Sequence, residues 1–152
     1  MGNGRQKINI LLVDDNPGNL LALETILQAP DRNLVRASSG EQALRFLLDE
    51  DAAVILLDVN MPGIDGLETA AMVRGRERTR SVPIIFLTAY GDADDSRISQ
   101  GYSLGAVDYI IKPINPEQAT RAVFSVLEHH IAPGEIEDIK ATLPTQLREL
   151  WP

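Results

Sequence analysis

The 152-residue chain contains no cysteine. Disulfides, thiolate metal sites and cysteine nucleophiles are therefore excluded. Basic residues are scarce: 14 Lys and Arg stand against 22 Asp and Glu, a formal net charge of −8. That surplus repels phosphate backbones and anionic lipid, so nucleic acid and membrane surfaces are poor partners. Long apolar runs are missing as well. The longest are strand-sized, which excludes a membrane-crossing helix, and the polar opening Met1 to Lys7 has no run of signal-peptide length behind it. A cytoplasmic location is the expectation. Glycine-rich phosphate loops are also absent. The first apolar run leads into Asp14-Asp-Asn-Pro-Gly-Asn19, which is neither a GxGxxG nor a Walker pattern.

What remains is an ordinary globular composition, 44% hydrophobic and 24% charged, at a length that fits about one domain. Short apolar runs alternate with helical patterns. The runs are Ile8 to Val13, Asn33 to Ala37, Ala53 to Leu57, Val82 to Leu87 and Val107 to Ile111. Between them Leu20, Leu23, Ile26 and Leu27 recur at helical spacing behind Pro17. Ser38 or Ser39 can cap a helix with Ala43, Leu44, Leu47 and Leu48 inward, and Asp65 one with Leu67, Ala70 and Ala71 inward. Asp94 to Leu104 reads as a weak helix with a thin apolar face. Pro116 opens a strong one that turns Ala119, Ala122, Val123, Val126 and Leu127 inward. Five βα units with continuous apolar strands predict an α/β fold: a doubly wound, five-stranded parallel sheet of order 2-1-3-4-5.

In such a sheet, ligands bind beyond the carboxyl ends of the strands. Asp14 and Asp15 follow the first run, Asp58 the third, Thr88 the fourth and Lys112 the fifth. Three close carboxylates need a counter-charge. An all-oxygen set suits a hard cation, and Mg²⁺ fits best because it also takes phosphate oxygens. With Lys112 and Thr88 opposite, the set forms a cradle for a transferring phosphoryl group. A carboxylate is then the nucleophile, and Asp58 is the natural choice.

On these residues the chain resembles the response-regulator receiver domains of two-component signalling. The matching stretches are Ile10-Leu-Leu-Val-Asp-Asp15, Leu56-Leu-Asp-Val-Asn-Met-Pro-Gly-Ile-Asp-Gly66, Ile85-Phe-Leu-Thr-Ala89 and Gly105-Ala-Val-Asp-Tyr-Ile-Ile-Lys-Pro113. The resemblance implies a flavodoxin-like receiver fold over residues 7–131, with 132–152 a C-terminal extension or the start of a linker. It implies Asp58 as phosphoacceptor and Asp15 as a direct Mg²⁺ ligand, with Asp14 beside it or acting through water. Asn60 would give its backbone carbonyl to the metal. Lys112 would bind a phosphoryl oxygen and precede a cis bond to Pro113. Thr88 and Tyr109 would be the switch pair, and Asn60 and Tyr90 would tune dephosphorylation. The implied partners are a histidine kinase or phosphotransfer protein as donor and a downstream output protein or domain. Such a chain catalyses only its own phosphorylation and dephosphorylation.

Two other classes compete. An aspartyl-nucleophile phosphohydrolase needs a second Asp two residues after the nucleophile, and that position is Asn60. An unphosphorylated docking scaffold would not need the complete residue set. Arg74, Arg76, Arg78 and Arg80 form a basic run whose simplest reading is a solvated helix end and loop. His129 and His130 suit a helix C-terminus. In the tail, Ile136, Ile139, Leu143, Leu147 and Leu150 fall near heptad spacing, interrupted by Pro144. Packing on the domain itself, a dimer contact and a linker all fit that pattern, and Trp151 reads as its anchor.

Overall fold

A computed structural model describes residues 7–89 and 95–130, the side chains of 95–97 and 129–130 excepted. The elements run β1 (Ile8–Val13), α1 (Pro17–Leu27), β2 (Arg32–Ala37), α2 (Gly40–Asp49), β3 (Val54–Asp58), α3 (Gly66–Gly75), β4 (Ile84–Ala89), α4 (Asp95–Ser103), β5 (Ala106–Lys112) and α5 (Pro116–His130). All pairings are parallel and the order is β2-β1-β3-β4-β5. Both match the expected doubly wound sheet. Tyr90, Trp151 and the heptad-like tail lie outside the described residues, as do the side chains of His129 and His130.

The two-residue period of a strand sends alternate side chains to opposite faces, and each face becomes a core. Ile10, Leu12, Leu56, Ile85 and Leu87 pack under α1 and α5. Leu11, Val13, Ile55, Leu57 and Phe86 pack under α2 and α3. Burial on both faces is why these strands read as unbroken apolar runs rather than alternating ones. Each fully buried aliphatic side chain is worth about 1.5–3 kcal/mol relative to exposure.

Caps fix where the helices start. The Asn16 side chain accepts the Gly18 N–H at 2.8 Å, with Pro17 first in α1. Ser39, not Ser38, caps α2 by accepting the Gln42 N–H at 3.1 Å. Asp65 and Glu68 close a reciprocal capping box on α3.

Two assignments of the helical faces need correction. Leu48 is 57% exposed, because the Ala43–Leu44–Leu47 stripe already fills the narrow contact of α2 with the sheet. Ala71 is exposed too; α3 buries Thr69, Ala70 and Val73 instead.

The basic run is solvated only in part: Arg78 and Arg80 are exposed, whereas Arg74 and Arg76 are half-buried. Arg74 donates from Nε to the Leu104 carbonyl at 2.6 Å, from Nη1 to Val82 and Arg80 at 2.7 and 3.0 Å, and from Nη2 to Gly105 at 3.1 Å. It ties the end of α3 to the entries of β4 and β5. Arg76 donates to the Leu44 carbonyl at 3.1 Å. Arg78 donates to Leu48 and Asp49 at 3.0 and 3.2 Å, so the two cations sit on the negative end of α2.

A planar guanidinium carries five donors on three nitrogens spread over a rigid fork, whereas an ammonium has three donors on a single nitrogen and cannot reach carbonyls this far apart. Arg74→Lys is therefore expected to destabilise the fold by about 1–3 kcal/mol, the scale of charge-assisted hydrogen bonds. The exposed Arg80→Ala control should stay within about 0.5 kcal/mol. Urea denaturation of the two variants tests this; equal midpoints would show that the clasp carries no energy.

Candidate functional site

The register of the sheet assembles the site. Val13 pairs with Leu57, so Asp14 and Asp58, one residue further on, emerge side by side at the carboxyl edge. Asp58 pairs with Leu87 on β4, and Leu87 with Ile110 on β5. Lys112 thus stands two strands away from Asp58, about 10 Å at the usual strand spacing. Its four-carbon stem closes that gap. Lys112 Nζ lies 3.0 Å from Asp14 Oδ2 and 3.2 Å from Asp58 Oδ2. The Lys112–Pro113 peptide bond is cis.

Asp14 is completely buried and Asp58 is 4% exposed, whereas Asp15 faces solvent. Ligand oxygens from the three lie within 4.8 Å of one another. Each buried carboxylate has backbone support. Asp14 Oδ1 accepts the Asn16 N–H at 2.9 Å, and its Oδ2 accepts the Asn19 side-chain amide at 3.1 Å. Asp58 Oδ1 accepts the Asn60 N–H at 3.2 Å.

The electrostatics are unbalanced. Burial, and then the neighbouring Asp14, push the Asp58 carboxyl up to about 6; Lys112 and the Asn60 N–H oppose this but do not offset it. Burial alone would lower the Lys112 ammonium, yet its bonds and charge contacts with Asp14 and Asp58 hold it above the usual lysine range. One ammonium is shared between two buried carboxylates. It gains from both, and neither is fully neutralised.

The other candidates sit around this cluster. Thr88 is 2% exposed, and its hydroxyl donates to the Ala89 carbonyl at a long 3.4 Å, not to the carboxylates. Asn60 is exposed beside a shallow cavity of about 470 Å³ lined also by Met61, Pro62, Gly63, Asp65 and Glu68. Tyr109 lies outside the cluster and packs against α4, its hydroxyl donating to the Ile98 carbonyl at 3.0 Å. A larger cavity, about 780 Å³, lies against α1 and β2 and contains none of the site residues.

Two supporting residues escaped the sequence reading. In the sequence Asn19 reads only as part of the segment after the first strand, although an Asn five residues past a strand-end Asp is placed to reach back to it. Gly66 packs α3 against the strand that carries Asp58: a Cβ there would overlap the Asp58 carbonyl oxygen and lie 2.7 Å from Val59 Cα. The glycine immediately after the Asp65 cap was the available signal.

The family model of the response regulator receiver domain matches residues 10–124. The chain is 40% identical over 121 residues to the ycf27 protein of Guillardia theta, covering 80% of this chain and 46% of that one. It is 36% identical over 117 residues to the sensor protein GacS of Pseudomonas syringae, covering 75% of this chain and 13% of that one. The chain thus spans about half the length of the first of these relatives and a small part of the second. The structure of the chemotaxis response regulator CheY4 of Vibrio cholerae superposes with a TM-score of 0.72 at 28% identity, covering 80% of this chain and all of that one. Mg²⁺ binding is general among such domains, and the carboxylate cluster described above is present in this chain. No helix among the described residues is long and apolar enough to cross a membrane. With its family match, its strand order and its acidic strand ends all in agreement, the chain belongs to the response regulator receiver domains of two-component systems, whose general function is phosphorylation on an aspartate.

Proposed function

We propose that this chain is a receiver switched by phosphorylation of Asp58, with its phosphoryl group supplied by a histidine kinase or phosphotransfer protein. The observation that carries the reading is the Lys112 ammonium held at 3.0 and 3.2 Å between Asp14 and Asp58 at the edge of the sheet. An Asp58 carboxylate oxygen attacks phosphorus as the bond from phosphorus to the donor's imidazole nitrogen breaks; the electron pair of that bond stays on the imidazole. Asn60 N–H steadies one Asp58 oxygen and orients the other. Lys112 then offers its charge to a phosphoryl oxygen. The long Thr88 hydrogen bond is weak and readily exchanged for one to the same group. Water then attacks phosphorus, the bond to the Asp58 oxygen breaks, and inorganic phosphate leaves as the carboxylate is restored. Following the family resemblance, we assign the tuning of this step to Asn60 and Tyr90. The chain acts on itself and is not a turnover enzyme.

The donor set fits Mg²⁺. Three carboxylates supply only oxygen ligands, they converge within 4.8 Å, and a single ammonium leaves them with excess negative charge. Asp14, Asp15 and Asp58 would hold the ion together with the Asn60 carbonyl. When bound, Mg²⁺ supplies positive charge that neutralises the carboxylates and polarises a phosphoryl oxygen. We place the receiver at residues 7–131 in a cytoplasmic setting and read 132–152 as an extension or linker toward an output protein or domain. The Asn60 side chain cannot act as a general acid, which favours the switch over a phosphohydrolase.

With acetyl phosphate and Mg²⁺, intact-mass spectrometry should show one added phosphoryl group on the wild type and none on Asp58→Asn. Addition that persists in the variant would place the nucleophile elsewhere. The crowded charge also predicts a stability effect. Asp58 titrates near 6 when folded against about 3.9 when unfolded. The folded state therefore binds more protons between these values, and stability falls as pH rises through that window. The penalty is complete above pH 6 and absent below about pH 4. With chelator at pH 8, Asp58→Asn should be more stable than wild type by on the order of 2 kcal/mol, and the gap should close toward pH 4. Thermal denaturation across that range checks both size and sign. Millimolar Mg²⁺ should narrow the gap at pH 8 by stabilising the wild type more than the variant.

A further inference from the structure

Helix α4 is short and polar, with the sequence Asp-Ser-Arg-Ile-Ser-Gln-Gly-Tyr-Ser, yet it carries a buried glycine, Gly101, in its last turn. Glycine is a poor helix former, and a solvent-facing position would gain from alanine. The backbone does not require it, since the positive φ values among non-terminal glycines occur at Gly63 and Gly105. The space does. A Cβ at position 101 would overlap the Tyr109 hydroxyl oxygen and lie 2.9 Å from Tyr109 Cζ and 3.1 Å from Phe86 Cε2. The phenol fills that notch, donates to the Ile98 carbonyl at 3.0 Å, and packs between Phe86 and Tyr102 with ring centroids 5.5 and 5.3 Å away. The overlapping atom is the far end of a side chain on an edge strand whose neighbours Val107 and Ile111 are 43% and 37% exposed. An expelled ring would thus have solvent to enter.

We propose that Gly101 is a positioning residue: its notch holds the Tyr109 ring turned onto α4 in the unphosphorylated chain and so ties edge strand β5 to that helix. The helix has few other apolar contacts to offer, so the docked ring is a principal fastening along its length, and Arg74 holds the turn after it through Leu104 and Gly105. Filling the notch should release the ring without unfolding the sheet. The proposal concerns the switch side of the receiver reading but stands on packing. Its readouts use no phosphodonor, so a failure of Asp58 to take phosphate would leave it intact.

The test combines ¹⁹F NMR of the full chain labelled with 3-fluorotyrosine and a double-mutant cycle. The Tyr109 resonance is assigned by its loss in Tyr109→Phe. In Gly101→Ala that resonance should move and become several-fold more sensitive to a soluble paramagnet; an unmoved, protected resonance would overturn the proposal. In a Tyr109→Ala background, Gly101→Ala should raise the thermal midpoint by about 3–6 °C, the size expected of one helical glycine-to-alanine replacement. In the wild-type background that gain should be absent, because the ring must be expelled. Equal gains in both backgrounds would overturn the proposal. If Gly101→Ala alone does not fold, recovery of folding in Gly101→Ala/Tyr109→Ala supports the notch, and failure of both shows that the glycine serves the backbone instead.

Discussion

One ammonium between two buried carboxylates is the interaction around which this end of the molecule is arranged. Asp14 and Asp58 are held nearly out of water, where an unpaired charge costs several kcal/mol. Lys112 is their shared partner, and it arrives from the far side of an intervening strand. The pairing constrains three strand ends at once. It also stays incomplete: the Asp58 carboxyl remains raised because burial and Asp14 outweigh Lys112. A site with charge left unneutralised favours binding a cation or converting a carboxylate to an acyl phosphate. Repulsion stored among like charges is what makes a small electrostatic change consequential here.

The strands deliver these groups because the sheet is rigid and its register leaves little freedom. A slip by one residue would exchange the two cores and send every strand-end group to the wrong face. Ile10 and Leu12 on one side, and Leu11 and Val13 on the other, are completely buried, so no such slip is tolerated. The positions of Asp14 and Asp58 follow from aliphatic packing several residues earlier. Fold stability and site geometry therefore share the same residues in β1 and β3, while Asn16, Asn19, Asp65 and Gly66 add the local bonds and close contacts that set the loops.

This division explains what the sequence made legible. The inner strands β1, β3 and β4 and the groups at their ends, Asp14, Asp58 and Thr88, could be read because a two-sided parallel strand is a continuous apolar run with a sharp end, while the edge strands β2 and β5 are half-exposed and more mixed in sequence. Helical faces were less legible. Leu48 and Ala71 fit the helical period but fall just outside the contact, since periodicity sets an angle and not the width of the buried stripe. The arginines were misread for a different reason. Their partners are main-chain carbonyls such as Val82, Leu104 and Leu44, and carbonyls have no signature in a sequence. The Gly101–Tyr109 contact was equally hidden, because it depends on how closely α4 approaches β5.

The same contrast bears on how a charge event at the sheet edge can reach the surface. A core close-packed on both faces transmits little displacement by itself, because its contacts are mutually supporting. A helix with few apolar contacts is different, since local opening costs less there than global unfolding. Helix α4 meets that condition. Its fastenings converge on β4 and β5, the strands that also end in Thr88 and Lys112, and Phe86, which the Tyr109 ring contacts, is two residues before Thr88. In register, Phe86 pairs with Tyr109, Thr88 with Ile111 and Ala89 with Lys112. Thr88 and Lys112 thus stand two and three residues along their strands from the aromatic contact that fastens α4. The sheet supplies the fixed reference, and the weakly held helix supplies the part able to respond.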